Sequence, residues 1–221
     1  MPNVIKRHIE TETERERALE DNRLSVTECL GCLRKAWYRR KQPLPLSLTT
    51  RWWFYRGNLL DGLWTPLFGR NQVRLTLPLK EEEPIVITGR FDFEDEDGAI
   101  ADLKTVDNLY WIQKEGAREE NIKQVKFYCF CDAKTKGRLY YVSLKDAIRI
   151  DLEFDRDDLL ATVSEIEERA KILYRALKNN VPPDPLPEGE SWECGLTADG
   201  IPYCEYNAVC RKSRARKEEE Q

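Results

Sequence analysis

The segments IVITGRFDF at residues 85–93 and AIADLKTV at residues 99–106 decide the fold, because both contain β-branched residues typical of strands and the first adds two phenylalanines. The acidic, glycine-containing sequence between them predicts a tight turn that pairs the two strands. Side chains two residues apart on a strand face the same side, so Asp102 and Lys104 are predicted neighbours. Pairing through the turn would bring Asp92 onto the same face of the sheet.

Two carboxylates on one face repel each other unless a cation lies between them, and oxygen ligands select hard ions such as Mg²⁺ or Mn²⁺. A lysine beside such an ion can orient the attacking water or stabilise charge on a phosphate. Gln124 and Tyr128 are four residues apart in a predicted helix, so they share one face and can hydrogen-bond a phosphate or a nucleobase. The alternative for all of these residues is an ordinary solvent-exposed polar surface.

The rest of the sequence predicts helices before and after these strands. Ser25 and Glu28 form a capping-box pattern for a helix that continues to Tyr38. Apolar residues at three- and four-residue steps predict a long helix over residues 157–179. The other expected elements are a helix over 50–67, a strand over 73–79, a helix over 121–133, and strands over 139–143 and 148–154. This order predicts an α/β core with mixed strands, and not a doubly wound sheet.

Three short motifs resemble those of the RecB-type nucleases of the restriction-endonuclease-like superfamily, in order and in spacing. They are Gly89-x-x-Asp92, Asp102-x-Lys104 and Gln124-x-x-x-Tyr128. The resemblance implies a mixed-sheet core flanked by helices and metal-dependent cleavage of DNA phosphodiesters. It also implies that Asp92, Asp102 and the backbone carbonyl of Leu103 bind Mn²⁺ or Mg²⁺. The catalytic residues that it implies are Lys104, Gln124 and Tyr128.

The same family carries a metal-binding histidine on an upstream helix, four residues after a glycine. This chain has Gly57 and Asp61 at the two positions. Aspartate can replace the imidazole because it offers an oxygen donor to a hard cation. We therefore expect Asp61 to be a further metal ligand, and the alternative is an exposed helix residue with no role in the site.

Seven cysteines in a chain with no secretory signal favour metal ligation over disulfides. One cysteine near the N-terminus and three near the C-terminus supply four thiolates, which is enough for an iron–sulfur cluster. The candidates are Cys29 or Cys32 at the N-terminal end, and Cys194, Cys204 and Cys210 at the C-terminal end. A zinc site with four cysteines is the alternative. We expect Cys129 and Cys131, inside the predicted helix over 121–133, to be small core residues.

The cysteine arrangement resembles the CRISPR-associated protein 4 family, an iron–sulfur subset of the RecB-type nucleases. There the first cysteine precedes a basic and aromatic stretch, as Cys32 does here. The resemblance implies a [4Fe–4S] or [2Fe–2S] cluster that clamps the N- and C-terminal segments together. Cys29 is the alternative ligand, because the gap between Cys194 and Cys204 is longer than the family spacing.

The charge pattern predicts where nucleic acid would bind. The net charge of −4 excludes a basic nucleic-acid coat, yet residues 29–60 contain seven basic residues and no acidic one. Aromatic residues such as Trp37, Tyr38 and Trp53 are interleaved with them, which suits single-stranded DNA. The alternative is a core-facing aromatic cluster with a solvated charged face. The single histidine, His8, excludes most histidine-based catalysis.

The family resemblance implies a single-stranded DNA exonuclease, mainly 5′ to 3′, that trims new spacers alongside the CRISPR integrase proteins. The alternative is a mainly non-catalytic DNA-binding adaptor of the spacer-integration complex, which the missing family histidine favours.

With no apolar run of about 18 residues and no secretion signal, we expect no membrane contact and a cytoplasmic location. The expected regions are an N-terminal helical region over 1–70, the nuclease core over 71–180 and a cysteine-bearing segment over 181–221, with the oligomeric state open.

Overall fold

The computed structural model describes residues 1–14, 20–79, 84–186, 194–195 and 202–211. The helices are α1 (Asn3–Glu12), α2 (Val26–Leu30), α3 (Leu33–Lys41), α4 (Leu48–Trp64), α5 (Tyr110–Glu115), α6 (Glu119–Cys131) and α7 (Arg156–Lys178), with a 3₁₀ turn over Thr65–Leu67. The strands are β1 (Arg23–Ser25), β2 (Asn71–Pro78), β3 (Val86–Glu94), β4 (Ile100–Thr105), β5 (Lys136–Val142) and β6 (Ala147–Glu153).

Within the described residues, six strands form one sheet with the order β1-β3-β4-β5-β6, and β2 pairs with β3 outside this path. β3 runs antiparallel to β2 and β4, while β1 is parallel to β3 and β4 is parallel to β5. β6 closes the far edge antiparallel to β5. The mixed α/β core expected from the sequence is therefore confirmed.

Helices cover both faces of the sheet. On one face lie α6 and α7, which pack against each other and against the largest apolar cluster of the protein. The buried side chains of α7 include the predicted stripe, which consists of Leu159, Val163, Ile166, Ala170, Leu173 and Leu177. On the other face, Leu60 and Trp64 of α4 pack against Phe93, Ala101 and Leu103 of the sheet.

The helix that begins at the predicted capping box is shorter than the sequence prediction. The capping box at Ser25 and Glu28 is present, but the helix that it starts ends at Leu30, and a separate helix begins after Cys32. The Arg169 side chain of α7 donates hydrogen bonds to the carbonyl groups of Cys29 and Gly31. These bonds satisfy carbonyl groups that a continuous helix would have used internally, so the break is stable.

Two elements have no counterpart in the sequence prediction. β1 spans Arg23–Ser25 and joins the edge of the core sheet, and α5 spans Tyr110–Glu115 after the last residue of β4. Both are too short to produce a readable period of apolar residues. None of the helices in the described parts of the chain has the length and the apolar character needed to cross a membrane.

Candidate active site

The candidate site lies where β3 and β4 stop pairing. The two strands are bridged at Phe93–Ala101 and Glu94–Ile100 next to the turn, and not beyond these pairs. In the gap, the backbone N–H of Leu103 donates to Asp92 Oδ2 at 2.6 Å. The side chain of Asp92 thus occupies the position that a strand backbone would otherwise fill, and it is almost fully buried there.

The alternation of side chains along β3 changes phase at Asp92. Phe91 packs into the cluster against α6, whereas Phe93, two residues later, packs against α4. The change allows Asp92 to lie in the gap beside Asp102. The neighbouring strand β2 is also distorted opposite Asp92, where Gln72 has a positive φ of 50°. Its side-chain amide lies 3.5 Å from Asp92 Oδ1. Sequence reasoning missed Gln72, and no pattern in the sequence marks it.

A chain of side chains from β4 and α6 fixes the lysine. Lys104 Nζ lies 2.7 Å from Asp102 Oδ2 and donates to Gln124 Oε1 at 2.9 Å. Gln124 Nε2 in turn donates to the Tyr128 hydroxyl at 2.5 Å. Both α6 residues are buried. The structure therefore brings together Asp92, Asp102, Lys104, Gln124 and Tyr128, in the arrangement that the motif spacing suggested.

Gly89 is required because of its contact with Tyr128. A Cβ added at Gly89 would lie 2.6 Å from Cε1 of the Tyr128 ring and 3.1 Å from Phe127. Real Cβ atoms essentially never approach so closely. The Tyr128 ring also contacts Phe91 of β3, with ring centroids 6.5 Å apart. The tyrosine therefore joins α6 to the part of β3 that has no strand neighbour on this edge.

The electrostatics of the gap are those of crowded carboxylates. Burial, followed by the carboxylates of Asp102 and Asp61, raises the pKa of Asp92 to about 7. Burial is also the first cause that raises the pKa of Asp61, where Arg90 opposes it and Asp102 adds to it. Burial alone would lower the pKa of Lys104, but the neighbouring carboxylates, Asp102 first and then Asp92, together raise it. Negative charge is thus in excess here.

The donor set fits a hard divalent cation. Asp102 Oδ2 is buried and, although Lys104 Nζ lies near it, accepts no hydrogen bond of acceptable geometry. The N–H and C=O of one strand residue point to the same edge, so the Leu103 carbonyl faces the same gap as its N–H, which binds Asp92. Asp61 of α4 contacts Arg90, with 3.9 Å between Asp61 Oδ2 and Arg90 Nη2. Within the described residues, no group of three or more His, Cys, Asp or Glu side chains is assembled as a metal site.

The four cysteines predicted to bind an iron–sulfur cluster are not assembled as a metal site in the described residues. Cys32, Cys194, Cys204 and Cys210 all lie within the described residues, which contain no assembled group of metal-ligating side chains. Their segments do contact each other. Tyr38 of α3 stacks on Tyr206 with ring centroids 5.3 Å apart, and Arg39 donates to Glu205 at 2.7 Å. The structure thus joins the N- and C-terminal segments through rings and charges, and shows no iron–sulfur clamp.

The other three cysteines are placed as packing residues. Cys29 and Cys129 are fully buried, and Cys131 packs against the core. Burial raises the pKa of each of the three thiols to about 12. The expectation that Cys129 and Cys131 are core residues agrees with these positions.

The basic and aromatic stretch over residues 29–60 divides into two parts. Trp37 and Tyr38 are buried, and the Trp37 indole donates to the carbonyl of Ala176. Arg40 forms an ion pair with Glu28 at 2.8 Å. These side chains belong to the protein interior, as the alternative interpretation proposed. Exposed aromatic surface remains on α4, where Trp53 and Phe54 are 45% and 38% exposed.

Comparison with known proteins agrees with this geometry. The family model of the PD-(D/E)XK nuclease superfamily matches residues 3–211. A solved structure described as SSO0001 has 18% sequence identity, covers 94% of each chain and has a TM-score of 0.60. A phage-related exonuclease from Haemophilus somnus 129PT has 12% identity, covers 72% of this chain and 96% of its own, and has a TM-score of 0.50. No curated protein sequence matches the chain.

Proposed function

Because this chain belongs to the PD-(D/E)XK nuclease superfamily, we propose that it is a Mg²⁺- or Mn²⁺-dependent deoxyribonuclease whose site lies between β3 and β4. The observation that carries the proposal is the buried Asp102 Oδ2, which forms an ion pair with the tethered Lys104 ammonium at 2.7 Å but accepts no well-aligned hydrogen bond. A buried oxygen without a well-aligned hydrogen bond lowers the stability of the fold, but it offers a free lone pair to a hard cation.

The residues divide the chemistry between them. Asp92, Asp102 and the Leu103 carbonyl would hold the cation, with Asp61 as a further oxygen donor. A divalent cation supplies Lewis-acid activation of the phosphate and a more acidic bound water. Gln124 accepts from the Lys104 ammonium and thereby fixes its position beside Asp102. The lysine can then donate to the attacking water or to a phosphate oxygen, while Tyr128 fixes the amide of the glutamine.

The finer assignment follows from the motif resemblance. We propose single-stranded DNA as the substrate, 5′ to 3′ polarity and a cytoplasmic role in CRISPR spacer acquisition beside the integrase proteins. The exposed aromatic rings of α4 support a single-stranded substrate, because rings can stack on bases of any sequence. The second candidate function is the non-catalytic DNA-binding adaptor. The observation that favours it is Asp61, which replaces the family histidine and contacts Arg90.

A digestion assay separates the two candidates. Wild-type protein should degrade single-stranded DNA with Mn²⁺ and lose all cleavage with EDTA. Asp102→Asn should abolish cleavage while leaving the fold intact, because it removes a ligand charge with almost no change in shape. Asp157→Asn, at an exposed position in the first turn of α7, is the matched control. Unchanged digestion by a folded Asp102→Asn protein would disprove this site.

The thiolate cluster is a separate proposal. We place it at Cys32, Cys194, Cys204 and Cys210, supported by the contact between α3 and the segment over 202–211. Anaerobically purified protein should contain iron and sulfide and show visible absorption that reductant bleaches. Cys204→Ala should lose this absorption, whereas Cys131→Ala should keep it. One stoichiometric zinc in the anaerobic protein would establish the zinc alternative instead.

A further inference from the structure

A polar cleft of about 740 Å³ lies beside the candidate active site, on the part of the sheet formed by β1, β2 and β3. Gln124 and Tyr128 form part of its wall, so it adjoins the side chains that hold Lys104. Its volume falls within the range of about 300–1,000 Å³ that ligand sites occupy. The other lining residues on which the argument depends are Arg23, Ser25, Arg74, Thr76, Thr88 and Arg90.

Two arginines face each other across the floor of this cleft. Arg74 of β2 is directly opposite Arg90 of β3 in the antiparallel register, so their side chains share one face. Like charges in this position destabilise a sheet. Arg90 has a distant partner in Asp61, at 3.9 Å. Within the described residues, the Arg74 side chain has no ion pair or hydrogen bond. Within the described residues, the Asp61 contact at 3.9 Å is thus the one ion pair that offsets the repulsion between the two arginines.

Hydroxyl groups and a third arginine extend the same surface. Thr76 pairs with Thr88 two residues along from the arginine pair, and Thr88 pairs with Ser25 of β1. Arg23 lies two residues before Ser25 on the same face of β1, and its side chain also has no partner within the described residues. Ser25 and Thr88 donate their hydroxyl protons to Glu28 and to the carbonyl of Leu24, whereas the Thr76 hydroxyl has no partner within the described residues. The donors available to a ligand are therefore Arg74 at one end, Thr76 between, and Arg23 at the other end.

The chemistry of the lining favours phosphate over a nucleobase. Guanidinium and hydroxyl groups are the donors that contact phosphate oxygens in nucleic-acid complexes. The one aromatic ring in the lining, Tyr128, is 2% exposed and cannot stack on a base. Arg40 also lines the cleft but is paired with Glu28, and Glu20 adds one more carboxylate to the lining. Arg23, Arg74 and Arg90 therefore still leave the lining net positive in a chain of net charge −4.

We propose that this arginine cleft binds the phosphodiester backbone of the DNA strand on one side of the scissile phosphate. The proposal rests on the nuclease function proposed above, because it assigns the cleft to that substrate. Donors at both ends suit a chain with one phosphate per nucleotide better than a single small anion. The cleft would contribute to substrate binding and would take no part in bond cleavage.

The test compares Arg74→Gln, Arg23→Gln and the double variant with Lys145→Gln. Lys145 is an exposed cation in the turn between β5 and β6, at the opposite edge of the sheet from β1. Lys145→Gln therefore removes one positive charge, as each single cleft variant does, but at a distance from the cleft. Binding of an oligothymidylate of about 12 nucleotides is measured in EDTA over a range of salt concentrations. Thermal unfolding verifies that every variant is folded.

Each cleft variant should reduce the slope of log K against log[salt] by about 0.7, the value for one phosphate contact on a single strand. That slope corresponds to about 8-fold weaker binding near 50 mM salt and about 3-fold near 200 mM. The double variant should lose about 1.4 in slope. In the Mn²⁺ cleavage assay, KM should rise with kcat unchanged, as expected for binding that is equal in ground and transition states.

Equal slopes for the cleft variants and Lys145→Gln would overturn the proposal. A second arm uses oligothymidylates with a 5′-phosphate or a 5′-hydroxyl, and the loss of affinity should be the same for both. A loss confined to the phosphorylated oligomer would also overturn the backbone assignment, in favour of a terminal phosphate. Because binding is measured without metal, failure of the cleft is distinguishable from failure of the nuclease function, which wild-type digestion tests separately.

Discussion

Lys104→Met tests the central arrangement, because it removes the ammonium and keeps the length of the side chain. The Lys104 side chain is 24% exposed and the Asp102 side chain is 4% exposed, so the substitution leaves a buried carboxylate without its cation. Breaking a buried ion pair by removing one partner costs about 3–5 kcal/mol. Since Lys104 is partly exposed, we expect the lower end, a loss of about 3 kcal/mol from the free energy of unfolding without metal.

Lys104→Met should change the effect of Mn²⁺ on stability and the value of kcat, but it should have little effect on DNA affinity. Mn²⁺ should restore part of the lost stability, because the cation neutralises Asp102 in place of the lysine. The value of kcat should fall by about 10²-fold or more if Lys104 stabilises charge in the transition state. Affinity for single-stranded DNA in EDTA should change by less than about 3-fold at about 200 mM salt, since at most one phosphate contact is lost.

The assays are urea unfolding with and without Mn²⁺, single-turnover cleavage at saturating DNA, and DNA binding at the same salt concentration. Lys145→Met, in the exposed β5–β6 turn, controls for the loss of a surface charge. If kcat and DNA affinity fell by the same factor while stability stayed at the wild-type value, Lys104 would be an ordinary basic contact. The adaptor function would then be favoured.

Two further predictions concern the neighbours of Lys104. The raised pKa of Asp92, about 7 in the folded metal-free protein, exceeds the value of about 3.9 expected in the unfolded chain, so ionisation of Asp92 opposes folding. Metal-free protein should therefore gain about 1 kcal/mol of stability between pH 8 and pH 6, and Asp92→Asn should remove that gain in a urea titration at each pH. Gly89→Ala should displace Tyr128 and lower stability by about 1–3 kcal/mol. Its kcat should fall because Gln124 loses its partner, and an unchanged kcat would show that the Gln124–Tyr128 contact does not position the lysine.

Much of the fold could be predicted from periodicity, because burial imposes it directly. The apolar stripe of α7 and the alternating apolar residues of β2 were readable from the sequence. The break between α2 and α3 was not readable, because it depends on Arg169, more than 130 residues away, binding the carbonyl groups of Cys29 and Gly31. β1 is only three residues long, so its place in the sheet depends on its pairing with β3.

The sequence by itself predicted Asp92, Asp102, Lys104, Gln124 and Tyr128 as site residues, because their types and spacing match the family motifs and set which of them share a face of one element; it did not mark Gln72. Only the tertiary structure decided how Asp92 reaches Asp102, since the phase change in β3 arises from its two neighbouring strands and from the residue opposite, Gln72. The same holds for the arginine cleft. Arg23, Arg74 and Arg90 are far apart in sequence, and hydrogen bonds between β1, β2 and β3 bring them onto one surface.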